Sequence, residues 1–96
     1  LPDLRSRVRA ATVLELRAPD EALLAGVLVK LAADRQLELD PRLIDYAVAR
    51  MERSLETAAE LVRRIDLEAL ASRERITRTL LTRILAEMEL ERNGPS

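Results

Sequence analysis

Chemistry in this chain falls to guanidinium and carboxylate groups. The 96 residues contain neither cysteine nor histidine, which removes disulfides, thiolate nucleophiles, imidazole general bases and zinc sites of the ordinary type. Lys30 is the single lysine among 16 Lys+Arg. The other cations are arginines, whose planar fork grips carboxylate or phosphate and keeps its charge at any ordinary pH. Two groups of them stand out: Arg5, Arg7 and Arg9 near the start, and Arg73, Arg75, Arg78 and Arg83 near the end. By spacing alone the first group reads as the solvated basic end of a helix. The second invites a duplex-DNA reading, but the formal net charge is −1 and Glu74, Glu87, Glu89 and Glu91 lie close by. No direct, specific DNA binding is therefore expected. Glu87, Glu89 and Glu91 read as a solvated helix end rather than an acid–base pair. With two glycines in the whole chain there is no phosphate cradle, and no Walker A pattern or Walker B acid run is present. No metal site is expected.

The elements that must position these side chains are helical. Tyr46 is the only aromatic residue, so the core has to be Leu, Ile, Val, Ala and Met, a composition suited to close-packed helices. One stretch organises the rest. Ser54–Ala71 starts on a good N-cap, Ser54, and shows an apolar stripe of Leu55, Ala58, Ala59, Val62, Ile65 and Ala69 at helical period. Glu60, Arg63, Arg64 and Glu68 occupy its opposite face. A helix before it opens at Pro19–Asp20 and runs to about Arg35, with Leu23, Leu24, Val27, Leu28 and Leu31 as its stripe. Asp40-Pro41 restarts the chain as N-cap and first helical residue, and Leu43, Ile44, Ala47, Val48 and Met51 line the helix to about Glu52. Thr77 caps a last helix from Arg78 to about Glu91, carrying Leu80, Leu81, Ile84, Leu85 and Met88; Asn93-Gly94-Pro95 stops it. Met51 and Met88 are core residues on this reading. Short connections between amphipathic helices imply antiparallel or oblique neighbours around one core. Leu1–Ala11 reads as a short helix and Thr12–Leu16 as an extended linker.

The opening LPDLRSRVRA resembles the box VII segment of the AAA+ initiator family, which comprises DnaA and its shorter regulatory relative Hda. Leu1, Asp3, Leu4, Ser6 and Arg7 match that family's Leu-x-Asp-Leu-x-Ser-Arg pattern. An extended crossing and four helices follow in the order of the family's lid. Arg50–Glu56 and Arg75–Thr77 also look like lid sequence. The fold expected is all-α: a small helical bundle of four helices, the AAA+ C-terminal lid, preceded by a short helix and an extended linker. Residues 1–17 would be the end of the nucleotide-binding subdomain, 18–92 the lid and 93–96 a tail.

The resemblance implies that Arg7 is an arginine finger acting in trans on a nucleotide held by a neighbouring subunit, a role that needs no base or metal of its own. It places the sensor 2 position, which touches the subunit's own nucleotide, at Glu56, where a carboxylate would repel a triphosphate. As a plain helix residue Glu56 is an anion favoured by the dipole, and Arg53, three residues earlier, is a weak substitute for the missing cation. The function implied is that of an Hda-like regulator of replication initiation. It would work with the DNA polymerase sliding clamp, through residues outside this stretch, to stimulate ATP hydrolysis on DnaA. The chain, read as a piece of something longer because it opens on Leu1, should have no ATPase activity alone, while the complete protein would take ATP or ADP. Alternatives are a DnaA initiator piece lacking its DNA-binding domain and a stand-alone helical interaction module. A cytoplasmic location is expected, with no signal peptide or membrane span, and a cut lid would expose apolar surface through which copies self-associate into a homo-oligomer.

Overall fold

The computed structural model describes residues 18–73 and 75–94. Arg7, and with it the whole box VII-like segment and linker, lies outside the described residues, as do Glu74, Pro95 and Ser96. The described chain is all-helical: α1 (Glu21–Asp34), α2 (Pro41–Arg50), α3 (Leu55–Ser72) and α4 (Arg78–Asn93). Each begins on a side chain that accepts from a backbone N–H of its first turn: Asp20 from Leu23, Asp40 from Arg42, Ser54 from Thr57 and Thr77 from Leu80. Such caps satisfy donors that have no intrahelical partner, each worth about 1 kcal/mol.

The ends are less regular. The α1 terminus closes with Gln36 at φ 59°, and the Leu37 N–H reaches back to the Ala32 carbonyl at 2.8 Å. Arg73 does the same job for α3 at φ 56°. Both positions favour glycine, and both carry a full side chain here. Helix α2 ends at Arg50 rather than Glu52, because Met51 turns to an extended conformation, and α4 continues to Asn93 before Gly94 caps it.

The helices close a four-membered ring in which α1 packs on α2 and α3, and α4 packs on α2 and α3. Although only four residues join them, α2 and α3 do not pack directly on one another, and neither do α1 and α4. Ion pairs fix the directions. Glu21 meets Arg53 at 3.3 Å at one end and Arg35 meets Asp66 at 2.9 Å at the other, so α1 and α3 run in the same sense. Arg64–Glu91 and Arg83–Glu68 make α3 and α4 antiparallel. Tyr46–Thr82 and Glu52–Arg92 make α2 and α4 parallel. The chain thus alternates direction along the sequence, yet its second and third helices are not neighbours.

The core is Leu24, Leu28 and Ala32 of α1; Ile44, Ala47, Val48 and the following Met51; Ala58, Leu61, Val62 and Ile65 of α3; and Leu81 and Ile84 of α4. Met88 packs partly buried against it. Two sequence-based stripes need rotation. In α3, Leu61 is fully buried while Leu55 is 50% exposed and Ala59 faces solvent. Ala59 stands one helical step, about 100°, from Ala58, and α3 must serve partners on two sides, which centres its buried band on Ala58, Leu61, Val62 and Ile65. In α1, Leu23 is 51% exposed and Ala32 is buried, for the same reason: α1 also packs on two helices.

Leu61→Ala should therefore cost about 2–5 kcal/mol in urea unfolding, whereas Leu70→Ala, on an exposed position, should stay within about 0.5 kcal/mol. Gly26 sits mid-helix with open space where a Cβ would project, so Gly26→Ala should raise stability by about 0.5–1 kcal/mol. A loss at Gly26→Ala would show that this face is covered.

Candidate functional site

The α3 N-terminus carries Arg53 and Glu56, the two residues the sequence singles out around the third helix start. Ser54 caps it, and Arg53 stands just outside the helix, with its guanidinium on the Glu21 carboxylate at 3.3 Å. Both side chains are more than half exposed, so this pair is weak and exchangeable. Glu56 lies in the first turn, exposed and without an ion-pair partner among the described residues. The positive end of the helix backbone favours its charge. Nearby, Glu52 accepts from the Thr57 hydroxyl at 3.4 Å and pairs with Arg92 at 3.0 Å. Arg53 and Glu56 thus flank one capped turn, with opposite charges.

Halfway along α3 the charges tighten. Glu60 receives Arg63 at 2.8 and 2.7 Å and Arg64 at 2.6 Å. Arg64 then reaches across to α4, placing Nη1 and Nη2 on the two oxygens of Glu91 at 2.9 and 2.5 Å. These bonds, first from Arg63 and then from Arg64, hold the Glu60 carboxyl at about 2 against an ordinary 4.5. Glu91, expected at a solvated helix end, is instead the α4 anchor for Arg64, which lowers its pKa. A four-apart Glu60–Arg64 pair is visible in the sequence; the cross-helix partner is not. Glu87 and Glu68 flank Arg83 at 3.9 and 3.2 Å.

The arginines near the final connection do not form one patch. Arg83 is tied to Glu68 and Glu87, and Arg73 serves as the α3 C-cap. The Arg78 guanidinium lies 4.9 Å from the centroid of the Tyr46 ring, and Arg50 lies 3.7 Å from it. Arg75 lines an open groove of about 1030 Å³ between α1, α2 and the α3–α4 connection. Ala25, Val29, Leu37, Leu43 and Ile76 make its apolar walls, and Glu38, Asp40 and Asp45 its acidic lining. Among the described residues no group of three or more acidic side chains could hold a metal ion, and no helix is long and apolar enough to cross a membrane. The gathering of Arg50 and Arg78 on Tyr46 had no signal in the sequence beyond Tyr46 and Arg50 being four apart.

The Glu60 shift gives a pH dependence with a definite sign. A carboxylate whose folded pKa lies below its unfolded value adds stability that is fully present above the unfolded value and is lost as pH falls through the folded one. The melting temperature of the wild type should exceed that of Glu60→Gln by its widest margin above pH 4.5, and the gap should close as pH falls towards about 2. Circular dichroism melts over that range check it; a gap that does not change with pH would mean the pairs contribute nothing. Comparison of the chain with known protein families, with characterised proteins and with solved structures finds no match.

Proposed function

We propose that this chain is the helical lid, with a preceding arginine-finger segment, of an Hda-like AAA+ protein that turns off replication initiation. It would do so by stimulating ATP hydrolysis on DnaA together with the DNA polymerase sliding clamp. The observation that carries the reading is an order of parts. The Leu1–Asp3–Leu4–Ser6–Arg7 pattern comes first, then four capped helices, with the lid-like Arg50–Glu56 stretch running into the start of the third. The absence of any buried polar side chain among the described residues supports a helical body that lends support to chemistry elsewhere. The open apolar groove suits a lid that rests on a further subdomain, and it equally suits self-association or a stand-alone interaction module.

In this reading Arg7 stabilises the charge that develops on the γ-phosphate of a DnaA-bound ATP. The complete protein is a cytoplasmic one that takes ATP or ADP, and the lid's own contact with that nucleotide falls to Arg53. Arg53 is a cation beside a positive helix end and can exchange its exposed Glu21 partner for a phosphate. Glu56 keeps its ordinary helix-start role.

Arg7→Ala in the complete protein should abolish stimulation of DnaA ATP hydrolysis in the presence of DNA-loaded clamp, a loss on the order of 10³–10⁵ for a finger, with helicity unchanged. Undiminished stimulation would remove the proposal. For the second position, Arg53→Ala should weaken nucleotide binding to the complete protein, and Glu56→Gln should leave it the same or slightly tighter. The reverse ranking, read by fluorescent-nucleotide titration, would remove Arg53 from the contact.

A further inference from the structure

The cationic surface of the described helices divides into two sets. Lys30, Arg35, Arg53, Arg63, Arg64, Arg83 and Arg92 each hold a carboxylate. Arg42, Arg50, Arg73, Arg75 and Arg78 hold none among the described residues. Two of this second set, Arg50 and Arg78, sit over one ring, that of Tyr46, and a third, Arg42, shares its helix face. Arg42 and Arg50 lie one turn either side of Tyr46 on the same face of α2, and Arg78 comes from the first residue of α4. Arg50 stacks its guanidinium over the ring at 3.7 Å and donates from Nη1 to the Tyr46 carbonyl at 3.3 Å. Arg78 stands over the ring at 4.9 Å. The ring itself is fixed: its hydroxyl meets the Thr82 hydroxyl at 2.7 Å, and Thr82 donates onward to the Arg78 carbonyl at 2.8 Å.

We propose that the Arg42–Tyr46–Arg50 face of α2, with Arg78 of α4, is a docking surface for an acidic protein segment. Four arguments carry this. Guanidinium groups stacked on an anchored ring are already ordered, so binding a carboxylate through them costs less side-chain entropy than through free arginines. Neither Arg50 nor Arg78 holds a carboxylate among the described residues, and beyond the bond from Arg50 Nη1 to the Tyr46 carbonyl the Arg50 fork keeps donors for an incoming carboxylate. Tyrosine and arginine are the residue types that dominate binding energy at protein interfaces. The strip from Arg42 to Arg50 spans about 12 Å along the helix, a length matched to a short run of acidic side chains rather than to one small anion.

Carboxylates of α2 do not neutralise the strip. Asp40 is engaged with the Arg42 N–H as a cap, and Asp45, about 100° round the helix from Tyr46, lines the groove. On α4, Glu87 lies by Arg83 and Glu91 by Arg64; Glu52 and Glu89 line a small hollow with Arg50, where Glu52 is paired with Arg92 and neither forms an ion pair with Arg50. A nucleic-acid strand fits less well. The Tyr46 ring already carries guanidinium, which leaves no platform for a base. The inference rests on α2 and α4 alone and stands or falls independently of the role given to Arg7.

The test uses the 96-residue chain, a labelled oligoglutamate peptide and an oligothymidylate of matched charge, titrated by fluorescence anisotropy at low salt. The peptide should bind wild type more tightly than the oligothymidylate does. R50A/R78A should weaken peptide binding about tenfold or more. R63A/R92A, which removes the same charge from paired positions, should change it by less than about twofold. Circular dichroism establishes that each variant is folded, and R50K/R78K, which keeps charge but loses the fork, replaces the alanine pair should the latter unfold; it should weaken binding severalfold. Equal losses in the two double variants, tighter binding of the oligothymidylate, or no binding of the peptide would each overturn the proposal.

Discussion

Thirteen buried apolar side chains, with no buried polar group among the described residues, hold four helices together. Burial of this kind is favourable at roughly 25 cal/mol per Å², but it has no direction. A core of Leu, Ile, Val, Ala and Met, with no ring and no hydrogen bond inside it, would tolerate several registers and several helix orders about equally well. Small residues narrow the choice. Ala32, Ala47 and Ala58 are almost completely sealed, each on a different helix, and a methyl side chain at such a position lets neighbouring backbones approach where a leucine would hold them apart. Close approach at those points, with Leu24, Leu28, Leu61, Ile65, Leu81 and Ile84 filling the space between, is the geometry that the remaining features must select.

Polar groups at the edges do the selecting. Four side-chain caps end each helix at a defined residue on its N-terminal side. Ion pairs join the ring at both ends of α1 and α3, along α3 and α4, and past the end of α2. Most are exposed, and each exposed pair is worth about 0–1 kcal/mol. Their sum does not hold the fold, but a change of helix order would bring wrong charges together. Arg64 is different: it is 21% exposed and bridges Glu60 on its own helix to Glu91 on α4. It sets the axial position of α4 along α3 as no apolar contact in this core can.

The parts legible in the sequence were the local ones. Asp40, Ser54 and Thr77 cap through bonds that span two or three residues, so residue type and a following apolar run suffice to find them; Asp20, which reads as part of the first turn, is itself the cap, and α1 starts at Glu21. The existence of four helices follows from the same local pattern. The buried face of a helix with two neighbours is not local. Ala58, Ala59 and Leu61 allow more than one stripe, and only the placement of α1 and α4 decides that Leu61 goes in and Ala59 out. The ends of α1 and α3 fall within a residue of the sequence-based bounds, but their left-handed closing residues, Gln36 and Arg73, carry none of glycine's freedom and have no signal in the sequence. Nor did short connections yield the neighbour list, since α2 and α3 are four residues apart in sequence and unpacked in space. The Tyr46 cluster unites residues from α2 and α4, and Arg64 finds Glu91 twenty-seven positions away. Pairings of that range depend on the ring of helices having closed.

A wholly apolar interior leaves every charge of the described helices at the surface, for they bury no polar side chain. The fold's own requirements account for most of the surface charge: caps, cross-helix pairs and the Arg64 bridge. Two features are left over once those are subtracted. One is the apolar groove with its acidic lining between α1 and α2, and the other is the arginine face around Tyr46. They are opposite in character, apolar-acidic and aromatic-basic, and α2 contributes to both: Leu43 and Asp45 to the groove, Tyr46 and Arg50 to the arginine face. A substitution on the outer face of that short helix of ten residues that leaves Ile44, Ala47 and Val48 intact changes its surface without touching the core.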